Sequence, residues 1–318
     1  MLPDEAERIN SVESAILGVF SAHDYRPVRT PLLEYIDVLS VGMGENLKDK
    51  VLKFIDPVTG RVVAIRPDIT SQIARIVATR MRDAELPLKL CYNESVLRYL
   101  DAREGKSREI IQIGAECVTG ASSPEVDAEM IIMAIEALKS VGLKGFKIDV
   151  GDVGFLKAIL NGIGLGAQAS MAIKDAIAVK DTAALEGALS GAGVKVSGAD
   201  KKLLLSLTTL YGDEEVIERA LSLSGASGAR GSLENLSRVT DIIAKSGYRD
   251  CVTVDLGETR GFDYYTGVIF EGFVTGIGRP ILSGGRYDNL LGKYGYNAAA
   301  TGFAFDVESV VAALGGRR

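Results

Sequence analysis

Residues 108–118 hold the pattern that most restricts the fold. Ile111, Ile113 and Ala115 alternate with Gln112, Gly114 and Glu116, so apolar and polar residues take opposite faces. A period of two fits a β-strand, and its apolar face must pack on a helix. A second strand candidate spans 88–97, and the charged stretch from Asp101 to Ser107 lies between the two. An amide and a carboxylate separated by Gly predict an open, polar sheet face. Such a face has acceptors for an amine or a ring N–H, and Arg98 across the strand pair can meet a carboxylate.

The remaining elements follow from periodicity and turn residues. Ala6, Ile9, Val12, Ile16, Val19 and Phe20 predict one face of a helix over 4–22. Pro27 and Pro31 force the stretch from Tyr25 to Pro31 to be extended. Val51 to Asp56 and Arg61 to Arg66 read as a hairpin turning at Pro57–Gly60, and Pro67-Asp68 opens a helix with Ile69, Ile73, Ile76 and Val77 inward. A helix is expected over 125–141 and a strand over 146–150. Residues 152–248 are rich in Ala, Leu, Gly and Ser, with helical periodicity and no convincing strand. Strands return at 251–256, 266–274 and 280–283, before a last segment from Ala300 to Leu314. The expected fold is therefore α+β: an antiparallel sheet flanked by helices, formed by 1–151 and 249–318, with 152–248 as a helical insertion domain.

Composition removes several functions. The chain has a single histidine, His23, so a His-rich metal site is excluded, and a Ser-His-Asp triad would have to use that residue. A net charge of -6 lacks the global footprint of a nucleic-acid binder. No apolar run reaches the roughly 18 residues of a membrane span, and the acidic N-terminus, lacking a basic and an apolar region, is not expected to be a signal peptide. Cys91, Cys117 and Cys251 have no C-x-x-C spacing and are expected to be free thiols in a reducing cytoplasm. Gly105-Lys106-Ser107 lacks the first glycine of a phosphate loop, since Leu100 stands there, and Gly162 to Ala167 continues a helix rather than following a strand.

Three segments concentrate polar residues in unusual company. They are Arg66-Pro67-Asp68-Ile69-Thr70, Arg98 with Gln112 and Glu116, and Arg260 to Gly267 followed by Ser283 to Asp288. The paired glycines at 284 and 285 suggest close approach of backbone to a ligand. Tyr25 to Pro31, residues 91–118 and Ala300 to Ser309 resemble motifs 1, 2 and 3 of class II aminoacyl-tRNA synthetases. The Arg66, Arg260 and Gly284 segments are similar to signatures of histidyl-tRNA synthetase.

The resemblance implies a pocket for L-histidine. Asp68 (Glu in the family), Thr70 and Gln112 would hold the α-amino group. Glu116 and Tyr265 would face the imidazole, Tyr264 would line the pocket, and Arg260 would pair with the carboxylate. Arg98, kept from motif 2, belongs to the same set. The nucleotide-facing positions differ from the family. The motif 3 arginine is Ser309, the small residue three before it is Asp306, the adenine-contacting acid is Leu100, and the stacking aromatic is Ile110. Amino-acid activation depends on neutralising phosphate charge, so it is expected to be lost. The chain ends after motif 3, and the roughly 100-residue domain that reads the anticodon is expected to be absent.

A histidine pocket without that machinery resembles one paralogue group, the regulatory subunits of ATP phosphoribosyltransferase. The resemblance implies a non-catalytic, cytoplasmic protein with no cofactor and no metal. It would form a dimer through motif 1 and bind L-histidine. Its partner would be the short-form catalytic subunit, which it activates and places under histidine feedback. Neither tRNA nor membrane is an expected partner. The alternatives are a ligase that adenylates histidine for a non-tRNA acceptor, and a free-standing histidine-binding protein.

Overall fold

The computed structural model describes residues 1–99, 108–194, 196–223, 229–259 and 265–315. Helix α1 (Pro3–Ala22) buries Ile9, Val12, Ile16 and Phe20, while Ala6 and Val19 on the same face are half-buried. The extended stretch after it narrows to strand β1 (Arg26–Pro27). Strand β2 (Leu33–Tyr35), helices α2 (Ile36–Gly42) and α3 (Glu45–Lys48), and strands β3 (Lys53–Ile55) and β4 (Val62–Ile65) follow. The β3–β4 turn is held by Asp56, whose carboxylate accepts the Val58 N–H at 3.0 Å and the Thr59 hydroxyl at 2.6 Å. Helix α4 (Thr70–Arg80) starts as Pro67-Asp68 predicts, with the Asp68 carboxylate accepting the Ser71 N–H at 3.2 Å.

Strands β5 (Leu88–Leu97) and β6 (Glu109–Thr119) form a long antiparallel pair, with Leu88 opposite Val118 and Leu97 opposite Glu109. Helix α5 (Pro124–Ser140) and strand β7 (Phe146–Asp152) complete the first half. Next come α6 (Val153–Ile163), α7 (Ala167–Ala178), α8 (Thr182–Ser190), α9 (Gly198–Ser206), β8 (Tyr211–Gly212), α10 (Glu215–Leu223) and α11 (Arg230–Lys245). The chain closes with β9 (Val252–Asp255), β10 (Val268–Val274), β11 (Leu282–Arg286), β12 (Ala299–Asp306) and α12 (Val307–Leu314). The reading of 152–248 as free of strands misses β8, two residues that pair with β9. Two residues are too short to show a period. Helix α6 ends on left-handed Gly164 (φ 72°), so the Gly162–Ala167 stretch is a helix terminus. Gly105-Lys106-Ser107 lies outside the described residues.

Among the described residues, nine strands join in the order β1-β5-β6-β12-β11-β10-β7-β9-β8, and β2-β4-β3 form a small second sheet. Neighbours are antiparallel except β1–β5 and β7–β9, which are parallel. The architecture is α+β, a large sheet flanked by helices. One face of the sheet packs on α1 and α5 through Phe20, Ile113, Ala115, Met130, Phe303 and Phe305. Phe20 and Phe303 meet edge to face with ring centres 5.7 Å apart. The same cluster of buried residues runs on into Ile177, Leu204 and Leu236 of α7, α9 and α11. On the other face, Ile73 and Val77 of α4 cover Leu90, Tyr92 and Val96 of β5. Cys91, Cys117 and Cys251 are free thiols.

Candidate ligand-binding site

Strand β6 turns Gln112, Gly114 and Glu116 away from the α1–α5 core. They stand beside Glu94, Tyr92 and Leu90 of β5 and Asp306, Ala304 and Gly302 of β12. This face is polar but not open, contrary to the sequence expectation. Glu116 is 1% exposed. Its carboxylate lies across β12, where a Cβ on Gly302 would overlap it. The space over Gly114 is taken by the Tyr92 phenol. Both glycines serve close approach of side chains within the fold.

Glu116 accepts a hydrogen bond from the Thr70 hydroxyl at 2.6 Å and another from the Tyr287 hydroxyl. Burial pushes its carboxyl up to about 8 from an ordinary 4.5; the two hydroxyls pull against this, and the Asp68 charge adds to it. At neutral pH Glu116 is therefore mainly a neutral acid, able to donate as well as accept. Burial also raises the Tyr92 and Tyr265 phenols, and the Asp68 and Glu116 charges beside them act the same way. Both tyrosines stay neutral donors. The Gln112 amide oxygen is buried with no hydrogen-bond partner among the described residues.

Of the residues read from the sequence, Asp68, Thr70, Glu116 and Tyr265 come together, and Gln112 lies on the same strand face. Arg98 donates from Nε to the Pro67 carbonyl at 2.7 Å, and its charge reaches Tyr265. Arg260 and Tyr264 lie outside the described residues. Sequence reasoning missed Tyr92, Tyr287 and Gly302. Tyr287 stands inside the glycine-arginine segment already singled out. Tyr92 reads as an ordinary apolar strand residue, and the need for glycine at 302 depends on the register of β12 against β6.

Two conspicuous arginines hold the frame. Arg286 is buried, with Nη2 2.7 Å from Asp127 Oδ1 and Nη1 3.0 Å from Asp288 Oδ1. Asp288 in turn accepts the Ala300 N–H at 3.1 Å. Arg66 donates from Nη1 to Glu94 and to the Thr30 carbonyl, each at 2.8 Å, tying the chain beside β1 to β5. The glycine pair also has a structural reason rather than a ligand, because a Cβ on Gly284 would overlap Phe303. In the motif 3 region, Asp306 caps α12 by accepting the Ser309 N–H at 2.9 Å, and the buried Ser309 hydroxyl accepts from Arg279 Nε at 2.9 Å. His23 pairs with Glu136 at 2.7 Å beside α1.

Comparison with known proteins identifies the family and the fold. The sequence model of the histidyl-tRNA synthetase family matches residues 1–310. The chain is 45% identical over 313 residues to the ATP phosphoribosyltransferase regulatory subunit of Geobacter sulfurreducens, covering 98% of this chain and 71% of that one. It is 39% identical over 315 residues to the subunit of the same name from Moorella thermoacetica, covering 99% and 80%. A crystal structure of an ATP phosphoribosyltransferase regulatory subunit/histidyl-tRNA synthetase from Bacillus halodurans superposes with a TM-score of 0.90 at 31% identity, covering 99% and 81%. Histidyl-tRNA synthetase from Nostoc shares the fold, with a TM-score of 0.83 at 21% identity, covering 99% and 73%. A class II sheet with a buried polar cluster, matched along nearly its whole length, places the chain in the family of ATP phosphoribosyltransferase regulatory subunits, which are built on the histidyl-tRNA synthetase fold and are regulatory rather than catalytic.

Proposed function

We propose that the chain senses L-histidine for an ATP phosphoribosyltransferase. It would be required for the activity of a short-form catalytic subunit and would mediate feedback inhibition in the first step of histidine biosynthesis. The observation that carries this reading is Glu116, a buried acid held by Thr70 and Tyr287 and ringed by Asp68, Tyr92 and Tyr265. A buried, fixed donor–acceptor pair suits an imidazole, whose two nitrogens present one donor and one acceptor. In this reading Glu116 and Tyr265 take the ring. Asp68, Thr70 and the unpartnered Gln112 oxygen take the α-amino group. Arg260, with Arg98 in the same set, meets the carboxylate, and Tyr264 lines the pocket.

Histidine can alter the partner's rate only by binding two states of the complex unequally. The same reading makes the protein cytoplasmic and dimeric through residues 25–31, without a tRNA partner. It keeps 152–248 as a helical insert in a core of 1–151 and 249–318. Among the described residues, no helix is long and apolar enough to cross a membrane.

The test is a titration of the chain into a short-form catalytic subunit, following phosphoribosyl-ATP with and without histidine. Activation that histidine reverses is expected. Absence of activation and of co-migration overturns the reading. Glu116→Ala is expected to weaken histidine binding at least about tenfold in calorimetry, because the ring loses its buried donor–acceptor partner. Unchanged affinity in a folded variant would move the pocket elsewhere.

A further inference from the structure

We infer that Lys157 is a positioning residue for the pocket, and the link through which helix α6 senses whether the pocket is occupied. The inference rests on the histidine reading above. Lys157 is half-buried on α6, and its Nζ donates to the backbone carbonyl of Tyr265 at 2.6 Å. The start of the same helix adds a second tie, from the Val153 N–H to the Gly267 carbonyl at 3.0 Å. From the other side, the Thr266 N–H donates to the Arg286 carbonyl at 2.7 Å, and the Asp288 N–H donates to the Thr266 hydroxyl at 3.0 Å. The segment 265–267 is thus clamped between α6 and the end of β11. Its side chain at 265 is the phenol that stands beside Asp68 and Glu116.

An ammonium bound to a carbonyl fixes the orientation of that peptide plane, and with it the direction in which the Tyr265 side chain leaves the backbone. The contact also works in reverse. A ligand that shifts Tyr265 pulls on Lys157, and α6 cannot give locally. Phe155, Leu156, Ile159 and Leu160 lock its inner face into the main core. Interiors packed to this density transmit small displacements rather than absorb them. This helix is the first of the segment 152–248, so the Lys157 contact gives pocket occupancy a path into the helical segment.

The test uses Lys157→Met, which keeps the apolar stem and removes the donor, and Lys157→Arg, which restores a cation. Histidine affinity is measured by calorimetry, and amide hydrogen exchange of α6 with and without saturating histidine. Lys157→Met is expected to bind histidine about tenfold more weakly, the scale of one charge-assisted contact, with Lys157→Arg recovering most of the loss. Histidine is expected to slow exchange in α6 of the unaltered chain and to leave α6 of Lys157→Met unchanged. A merely structural lysine would lower the melting temperature and leave affinity and the α6 response intact, and that result overturns the inference. Should Lys157→Met fail to fold, Lys157→Gln provides the same comparison. An unaltered chain that binds no histidine overturns the pocket reading, and this role with it.

Discussion

Glu116 makes the stability of the fold depend on pH. The ordinary value of its carboxyl, 4.5, applies in the unfolded chain, and burial pushes it up to about 8 in the fold. Between these values the folded chain holds a proton that the unfolded chain has released. The contribution to stability is therefore full below the lower value and is lost as pH rises through the upper one. Asp152, raised by burial from 3.8 to about 7, acts in the same direction. Urea denaturation is expected to show stability falling from mildly acidic to mildly alkaline pH, with each group contributing at most about 1.4 kcal/mol per pH unit. Glu116→Gln should remove the decline above the Asp152 range; an unchanged slope would mean that Glu116 ionises normally in the fold. Gly302→Ala tests the packing of the same carboxylate. The added methyl must displace Glu116, so histidine affinity should fall while overpacking costs about 1–3 kcal/mol, read by calorimetry and thermal melting. Thr70 and Glu116 were legible in the sequence because each sits in a marked local pattern. Gly302 was not, because its neighbour across β12 is distant in the chain.

At the scale of elements, the end of β11 is a junction. Arg286 joins β11 to α5 through Asp127, and Asp288 ties the same turn to β12 and to Thr266. Tyr287 sits between these ties, so the network that holds the strand end also sets the hydroxyl on Glu116. Arg286→Met would leave Asp127 buried without its cation, an expected loss of about 3–5 kcal/mol in equilibrium denaturation. A loss below about 1 kcal/mol would show that Asp127 becomes protonated or hydrated at little cost. Elements with a clear period, α1, α4, α5, β5 and β6, were readable from the sequence to within a few residues. β2 and β8 were not, since three and two residues carry no period and exist only through their partners in the sheet.

Across the whole molecule, the buried apolar residues of α7, α9 and α11 are continuous with those beneath the large sheet. An insert with its own core would melt separately; one that shares a core melts with its host. We expect a single calorimetric transition for the whole chain. Leu236→Ala, at a fully buried position of α11, should lower that one transition by about 2–5 kcal/mol of stability. Two resolved transitions, with only one of them moved by Leu236→Ala, would show that 152–248 unfolds independently.

The α+β class, most of the helices and strands, and the family to which the chain is similar were legible along the chain. Those features depend on periodicity and turn chemistry between near neighbours, or on motifs intact within single segments. What each polar residue does emerges only in the packed fold. Arg66, Arg98 and Arg286 look alike in the sequence, yet Arg66 and Arg286 are buried in frame-holding networks, and Arg98 bonds a backbone carbonyl. A Gly-separated amide and carboxylate predicted an open face, but Tyr92, Tyr287 and β12 close it around Glu116. Burial and partnership come from segments far apart in the chain, and the register that brings those segments together is set by the packed sheet rather than by any local pattern.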